Sequence, residues 1–536
     1  MPVDHLREQL KQRGYLTYGI ERWFALDPWR SRTFWAELLV VSAKAAVLIG
    51  AFGLLPMVSV VLFRNHPLGA WETFAAALCY GLTLFAAGFA LLNAIALVLK
   101  VRPALAIDTP HALLGISFAA GALLSAAVVL WWYGFDASPG LGELVAGLAL
   151  IVIFFLVSTI AVSAALLSFS IYELQRVPAI HQKPRGVPMT IAAAILTAAL
   201  FIPTYAAQER QIAEPPIQVV TVPASHRVAL VAVDGLSFEI LRARPEIVRD
   251  FTAVDAVAAV PGGSTAERWA SVGTGVPARL HGVHAVEGIR FRGGSHVLQA
   301  LSHTEPVLRD VGSAIGLARR EPLPPTVRRR DFVWEIFAAR GVPSLAVDWW
   351  TAEDEHAGAL ESIGQAAIFT AAHGDPLAVD AGAARQTLRH ISLWRPQFVT
   401  VYLPALDIIL NRLKADRSTQ LTQSVRALDQ LRAAIDDLRH AGYDVVIIGM
   451  PGDRQSGRAV LASTLPLDRA ARSAYDVAPT LCALIGFPAS SEMRGRSLVP
   501  ALLPRIAGYG LRVTAGQNLK VNEEYYRNLK SLGYVH

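Results

Sequence analysis

The sequence contains very few cysteines and few charged residues. Only two of its 536 residues are cysteine, Cys79 and Cys482, and charged residues make up 17% of the chain. Two cysteines so far apart exclude a disulfide framework and a thiolate metal cage. Hydrophobic residues make up 53% of the chain, and the mean hydropathy is +0.39. These values are unlike those of a water-soluble protein of this length, so much of the chain is expected to lie in lipid.

The long apolar runs are concentrated between residues 36 and 207. A membrane-spanning helix needs about 20 predominantly apolar residues. Five segments meet that requirement, and they cover residues 36–63, 71–99, 111–134, 141–172 and 188–207. Five spans would place the two ends of the chain on opposite sides of the membrane.

Positive charge predicts the orientation of these spans. The N-terminal flank and the loops after the second and fourth spans carry eleven Lys and Arg residues, whereas the opposite loops carry only Arg64. Because cationic loops stay in the cytoplasm, the N-terminus is predicted to be cytoplasmic and the C-terminal half extracytoplasmic, periplasmic in a cell with an inner membrane. The first apolar run then acts as an uncleaved anchor, since six cations precede it.

The predicted organisation has four parts. They are a basic cytoplasmic flank (1–35), a five-helix membrane domain (36–207), a proline-containing linker (208–226) and an extracytoplasmic domain (227–536). The formal net charge of +6 needs no nucleic-acid partner, because cations beside membrane spans are expected from insertion alone.

Few polar residues fall inside the predicted spans. Lys44 lies close enough to the cytoplasmic end of its span for its ammonium to reach the headgroups, although a buried functional cation is the alternative. Glu37, Glu72 and Glu143 lie at span ends and are expected to need no special role. The mixed apolar and basic stretch 6–24 is either a helix on the inner membrane surface or a solvated flank.

The pattern changes after Arg227. Short runs rich in Val and Ile alternate with stretches of helical periodicity, which predicts an α/β domain with a mostly parallel sheet between helices. The predicted strands are 228–233, 344–347, 398–403 and 444–448. Between the last two, one long helix is predicted to bury Leu421, Val425, Leu428, Leu431, Ile435 and Leu438.

Sites in such sheets form at the carboxyl ends of the strands. That rule selects three segments, 234–235, 404–411 and 449–457. A fourth segment, 261–275, contains Ser264 and Thr265 at a glycine-flanked helix start. A hydroxyl there either caps the helix or faces an anion bound at its N-terminus.

Taken in chain order, these segments resemble the type I phosphodiesterase and nucleotide pyrophosphatase branch of the alkaline-phosphatase superfamily. The resemblance covers roughly residues 227–536, and its most specific part is 475–481. The matching segments are 231–235, Thr265 with Trp269 and 274–275, 332–337 with Gly341 and 347–350, 401–407, 475–481 with 485–488 and 493–495, and the tail 527–534. The resemblance implies an alkaline-phosphatase-like fold.

The resemblance also implies a two-metal hydrolase, in which paired cations hold the attacking and leaving oxygens of a displacement at phosphorus. Thr265 stands at the nucleophile position, with Ser264 as the alternative. Asp234 and Asp407 stand at positions of metal-ligating aspartates.

Several ligands of that metal pair are missing from the sequence. Asn411 stands where the family has a histidine, and 449–452 reads Gly-Met-Pro-Gly where the family has Ser-Asp-His-Gly. Asp453 is a possible substitute for the lost aspartate. The chain has no histidine between His440 and His536, the interval in which the family keeps two imidazole ligands. No two-metal pair is therefore expected, although a single zinc or manganese ion remains conceivable in an active protein.

Two hypotheses follow for the C-terminal half. In the first, it is a pseudoenzyme that binds membrane lipids, envelope proteins or lipid-linked glycans. In the second, it is an active phosphodiesterase or phosphotransferase that uses Thr265 on lipid-linked or envelope phosphodiesters with a reduced metal site. The order of spans followed by such a domain is similar to that of phosphoethanolamine transferases and lipoteichoic acid synthases, which keeps the second hypothesis open.

Three further interpretations carry less weight. The stretch 264–268 loosely fits a sulfatase signature, but sulfatases usually begin with paired aspartates and this chain has Asp234-Gly235. His281, His284, His296 and His356 would have to come together to form a relocated metal site. The run 328–330 is either a cluster that steers anions or a solvated turn.

Overall fold

The computed structural model describes residue 12 and residues 34–64, 69–101, 110–135, 141–170, 219–224, 226–294, 296–299, 307–352, 354–452, 457–512 and 523–535. The chain divides into two units. One contains the N-terminal helices together with Ile289–Arg319, and the other contains the remaining C-terminal half. We call them the helical unit and the sheet unit.

Four long apolar helices form most of the helical unit. They are α1 (Phe34–Arg64), α2 (Ala70–Val101), α3 (Pro110–Phe135) and α4 (Leu141–Ser170). Helix α1 packs against α2 and α4, and α3 packs against α4. Within the described ranges these four helices are long and apolar enough to cross a membrane, so the chain is a multi-pass membrane protein. The first four predicted spans are thus confirmed as helices, whereas the fifth, 188–207, and most of the predicted linker lie outside the described residues.

The helical unit also contains Ile289–Arg319, which the sequence assigned to the soluble half. This excursion includes a π-helical turn, Val307–Val311, that contacts α2, and a short helical turn, Gly312–Ala314. Leu308 is buried in the same apolar cluster as Cys79 of α2. A Cβ atom added at Gly312 would lie 3.6 Å from the Cys79 sulfur, so the excursion packs closely on the helix.

Glu72 joins the excursion to the first turn of α2. Its side chain is 4% exposed, and its Oε1 accepts the backbone N–H of His296 at 3.1 Å. The neighbouring Trp71 indole donates to the carbonyl of Arg292 at 2.9 Å. The expectation that Glu72 needs no special role is therefore wrong, because a buried carboxylate requires hydrogen-bond donors and the excursion supplies them.

The sheet unit is built on an eight-stranded sheet in the order β2-β11-β10-β1-β9-β6-β8-β7. The strands among the described residues are β1 (Val228–Asp234), β2 (Ala253–Val257), β3 (Glu287–Phe291), β4 (Val297–Gln299), β5 (Ala318–Pro322), β6 (Ser344–Val347), β7 (Glu355–Ala357), β8 (Leu360–Ile363), β9 (Phe398–Leu403), β10 (Asp444–Met450) and β11 (Ala459–Ser463). Strands β3, β4 and β5 form a separate three-stranded sheet.

The four predicted strands are confirmed as β1, β6, β9 and β10. They are neighbours in the sheet and pair in parallel. Every residue of β1 and β9 is buried, which explains their continuous apolar runs. The outer pairs β10–β11, β11–β2 and β7–β8 are antiparallel, so the sheet is mixed.

Eight helices of six or more residues belong to the described part of the sheet unit. They are α5 (Phe238–Ala243), α6 (Thr265–Thr274), α7 (Val333–Ala338), α8 (Gln365–Ala372), α9 (Pro376–Trp394), α10 (Arg417–His440), α11 (Val477–Ile485) and α12 (Glu523–Ser531). Shorter turns cover Pro245–Val248, Ala278–His281, Pro325–Val327, Ala405–Asp407, Ile408–Arg412 and Ala474–Asp476.

Helix α10 buries only part of its predicted apolar face. The predicted residues from Leu428 to Leu438 are buried, but Leu421 is 67% exposed and Val425 is 39% exposed. The helix has 24 residues, about 36 Å at 1.5 Å per residue, whereas the strands beside it span only about 20 Å. Its first turns therefore extend past the sheet.

The arginine run 328–330 is not a solvated turn. Arg328 is 1% exposed, donates to both carboxylate oxygens of Glu335 and stacks on the Phe332 ring at 3.8 Å. Arg330 donates to both oxygens of Glu492. Carboxylates further along the chain neutralise both guanidinium groups. Arg328 and Arg330 are therefore structural residues.

Candidate functional site

Two buried carboxylates meet at the carboxyl edge of the sheet. Asp234 is the last residue of β1, and Asp407 ends the short turn that follows β9. Because β1 and β9 are adjacent and parallel, both side chains arrive at the same edge. Gly235 has φ +84°, and a Cβ atom there would lie 2.7 Å from the Asp407 Cα. The two chain segments therefore approach so closely that only glycine fits between them.

Thr265 is the first residue of α6, and Ser264 is its N-cap. The Ser264 hydroxyl accepts the N–H of Glu267 at 3.1 Å and donates to the carbonyl of His284 at 3.0 Å. The capping interpretation is thus confirmed for Ser264. Thr265 is 1% exposed and is the hydroxyl that lies in the site.

Two arginines connect these groups. Arg412 donates from Nε to Asp407 Oδ2 at 2.5 Å and from Nη2 to Thr265 Oγ1 at 2.7 Å. Arg268, one turn into α6, donates from Nη2 to the same hydroxyl at 3.4 Å. Neither arginine was predicted from the sequence. A cation immediately after Asn411 and a second three residues after Thr265 were the available signals, because two buried carboxylates without metal require positive charge nearby.

Asn411 lies in the site, as the resemblance in sequence implied. Its Nδ2 donates to Asp407 Oδ1 at 2.8 Å, so the amide acts as a hydrogen-bond donor to the carboxylate. The backbone of Gly452 lies against Asn411, since a Cβ atom added at Gly452 would lie 2.9 Å from the Asn411 Cγ. The segment that aligns with the missing aspartate and histidine thus presents backbone to the site. Asp453, the possible substitute ligand, lies outside the described residues.

The electrostatics of Asp234 follow from its burial. Burial raises the pKa of Asp234 to about 7, and the charge of Asp407 adds to the rise, while Arg268, Arg412 and a hydrogen bond from Tyr402 oppose it. The Tyr402 hydroxyl donates to Asp234 Oδ2 at 2.9 Å. In the described part of the protein, Asp234 Oδ1 has no hydrogen-bond partner.

Aromatic side chains of the core and of the C-terminal tail pack against the residues of the site. The Trp269 ring of α6 packs edge-on against Tyr402 and Trp349 at centroid distances of 5.3 and 6.0 Å. The Arg412 guanidinium stacks on the Tyr534 ring at 4.0 Å. The C-terminal tail thereby covers the arginine that joins Asp407 to Thr265, and it encloses the site.

These residues do not fit a pair of metal ions. Three atoms that would face metal already accept hydrogen bonds. The two oxygens of Asp407 accept from Asn411 and Arg412. The Thr265 hydroxyl accepts from Arg412 and Arg268. Across the described ranges, no three His, Cys, Asp or Glu side chains are grouped so as to hold a metal ion. Guanidinium groups beside Asp234 and Asp407 would also repel dications.

The histidines singled out as a relocated metal site do not form one. His281 is fully buried, its Nε2 lies 2.8 Å from Ser271 Oγ and its Nδ1 accepts the N–H of Val283. Burial lowers the pKa of His281 to about 3, so the ring is a neutral core group. His296 pairs with Glu72, and His356 pairs with Glu361.

No family model matches the chain, and neither does any curated protein. Two solved structures of phosphonoacetate hydrolase from Sinorhizobium meliloti, with phosphonoformate or phosphonoacetate, are similar at 11% identity and a TM-score of 0.30. The match covers 44% of this chain and 60% of the hydrolase, so this chain spans less than two thirds of that protein. Murine ectonucleotide pyrophosphatase/phosphodiesterase 5 is similar at 10% identity and a TM-score of 0.35, over 52% of this chain and 97% of the murine protein.

Proposed function

We propose that this chain is a membrane protein with an extracytoplasmic, phosphodiesterase-like domain of alkaline-phosphatase type that acts by binding and does not hydrolyse phosphodiesters with paired metals. The observation that carries the proposal is the position of Arg412, which donates to both Asp407 and Thr265. One guanidinium thus occupies the hydrogen-bonding positions that a metal ion would need. Partners of this domain are membrane lipids, envelope proteins or lipid-linked glycans.

Charge balance supports the exchange of metal for arginine. Asp234 and Asp407 are 0% exposed, and two uncompensated carboxylates at this depth would each cost several kcal/mol. Arg268 and Arg412 both lower the pKa of Asp234 by direct charge interaction. The cluster is therefore compensated by protein groups, and it needs no cation from solution to remain folded.

Activity provides the test of this proposal. We expect the full-length protein in detergent to hydrolyse a bis-aryl phosphate no faster than its Thr265→Ala variant, with or without added zinc or manganese. The physical reason is that the Thr265 hydroxyl is enclosed and already accepts two guanidinium donors. Metal-dependent turnover that disappears in Thr265→Ala would refute the binding role.

One observation favours a second function. Two guanidinium groups on the Thr265 hydroxyl would favour its alkoxide, and they would also stabilise charge on a phosphoryl group. A metal-independent phosphotransferase that uses Thr265 is thus the second candidate. Turnover that needs Thr265 but is unaffected by chelators would identify it.

The proposed location outside the cytoplasm rests on the excursion. Its Arg292 and His296 contact Trp71 and Glu72 in the first turn of α2. Helix α2 begins after the chain has crossed the membrane once, in α1. Helix α4 ends after four crossings, on the side where α1 starts. In this proposal the predicted span 188–207, which lies outside the described residues, supplies the crossing between the end of α4 and the side on which α2 begins. The positive-inside rule then places the sheet unit outside.

Thiol labelling tests this topology. In a background of Cys79→Ala and Cys482→Ala, we expect Ile315→Cys to react with a membrane-impermeant maleimide on intact cells. Ile315 is 47% exposed and belongs to the excursion. Gln12→Cys, on an exposed residue of the N-terminal flank, is the matched control and should react only after lysis. Labelling of both positions only after lysis would place them on the same side and contradict the fifth crossing.

A further inference from the structure

A cavity of about 330 Å³ lies beside α11 in the sheet unit and shares no residue with the site around Asp234 and Thr265. Its size is that of a small-molecule site. Apolar residues form much of its wall, namely Pro479, Ala483, Phe487, Val499 and Leu503. Three arginines also line it, Arg469, Arg496 and Arg505, together with a single acidic residue, Asp468.

Backbone carbonyls hold two of these arginines. Arg505 donates from Nη1 to the carbonyl of Met493 at 3.1 Å and from Nη2 to the carbonyl of Gly495. Arg496 donates from Nη2 to the carbonyl of Ala470 at 3.0 Å. A carbonyl carries no net charge, so these bonds fix the guanidinium groups and leave their charge uncompensated.

None of the three arginines forms an ion pair with a carboxylate in the part of the chain that the structure describes. Other arginines of the sheet unit do, including Arg328 with Glu335 and Arg330 with Glu492. Three guanidinium groups against the single carboxylate of Asp468 leave the lining of the cavity net positive. Net positive charge in an apolar-walled cavity raises the local concentration of anions. Guanidinium groups match the oxygens of phosphate and carboxylate in particular.

We propose that this cavity binds an organic anion, with a phosphate or carboxylate head on Arg469 and Arg496 and an apolar body against Phe487. A soluble metabolite and a membrane lipid can both present this chemistry. The site is separate from the proposed function of Thr265 and Arg412, so either can fail without the other.

The experiment measures binding of 1-naphthyl phosphate to the full-length protein in detergent by calorimetry. Arg469→Gln should bind about tenfold more weakly, because a hydrogen bond to a charged group is lost. Arg469 is exposed, so the variant should fold. Arg439→Gln removes a half-buried arginine paired with the exposed Asp250. This variant and Thr265→Ala should both bind as the unaltered protein does. Uncharged 1-naphthol should bind more weakly than its phosphate.

Competition identifies the source of the anion. Displacement of the probe by phosphatidylglycerol in mixed micelles would indicate a lipid headgroup, and displacement only by soluble aryl phosphates would indicate a free metabolite. Both outcomes support the site. Equal affinity in the unaltered protein and Arg469→Gln, loss of binding in Thr265→Ala, or equal affinity for 1-naphthol and its phosphate would each overturn it.

Discussion

Arg412→Ala should destabilise the sheet unit by about 3–5 kcal/mol, the usual cost of removing one partner from a buried ion pair. The Asp407 side chain is 0% exposed and that of Arg412 is 11% exposed, so the carboxylate left behind cannot be solvated without a rearrangement. The variant also loses the bond to Thr265 and the stacking on Tyr534.

The two cysteines offer a way to measure this loss in the full-length protein. Cys482 is 0% exposed in α11, so its thiol reacts only when the sheet unit opens. With Cys79 replaced by alanine, the urea dependence of Cys482 labelling reports the stability of that unit alone. Arg439→Ala is the matched control, because its partner Asp250 is 60% exposed and such pairs contribute about 0–1 kcal/mol. Equal shifts for the two variants would show that Arg412 does not compensate a buried charge.

Gly235→Ala should be comparably damaging for a steric reason. The residue has φ +84°, and its new Cβ atom would lie 2.7 Å from the Asp407 Cα and 2.8 Å from the Leu406 carbonyl carbon. These are backbone atoms, so no side-chain rotation relieves the clash. Backbone strain in the left-handed region and overpacking together should lower the free energy of unfolding by about 3–5 kcal/mol. The clash should also move Asp234 away from Asp407.

Gly341→Ala separates the two causes. Gly341 has φ +83°, but nothing lies within 4 Å of the Cβ position there. In that variant, backbone strain should lower the free energy of unfolding by only about 1–2 kcal/mol, as measured by the same Cys482 labelling. If both alanine variants shifted the urea midpoint equally, close approach of the Asp234 and Asp407 segments would not be the constraint on Gly235.

The sequence predicted the strands of the sheet centre and three of the residues at its edge. Strands β1, β6, β9 and β10 are parallel neighbours, so their runs of Val, Ile and Leu are recognisable without knowledge of the fold. Since β1 and β9 are adjacent, the rule that sites form at carboxyl ends was enough to bring Asp234 and Asp407 together. Asn411 was implied by the family resemblance, in which a histidine stands four residues after the second aspartate.

Arg412 was not predicted from the sequence, and local helix geometry explains its contact with Asp407. The segment Ile408–Arg412 is a π-helical turn, in which residues five apart are neighbours, whereas residues four apart are neighbours in an α-helix. Asp407 therefore meets both Asn411 and Arg412. The family resemblance implied only the position four residues after Asp407, which is Asn411.

The packing of the excursion on α2 was not predicted, for a different reason. Ile289–Arg319 is mixed in composition and reads as part of a water-soluble domain, yet it packs on α2 through buried residues such as Phe291 and Leu308. A pattern of local hydrophobicity does not reveal which distant surface an apolar side chain meets. The role of Glu72, which looked like an ordinary polar residue at a span end, depended on the same long-range contact.

The most direct test of the account is the metal content of the purified full-length protein, measured after incubation with excess zinc and manganese and removal of unbound ions. If arginines have taken the place of the metal pair, the protein will retain neither ion at the site, and EDTA will leave the urea midpoint of Cys482 labelling unchanged. Two ions retained per chain, and lost when Asp234→Asn and Asp407→Asn are combined, would contradict the account.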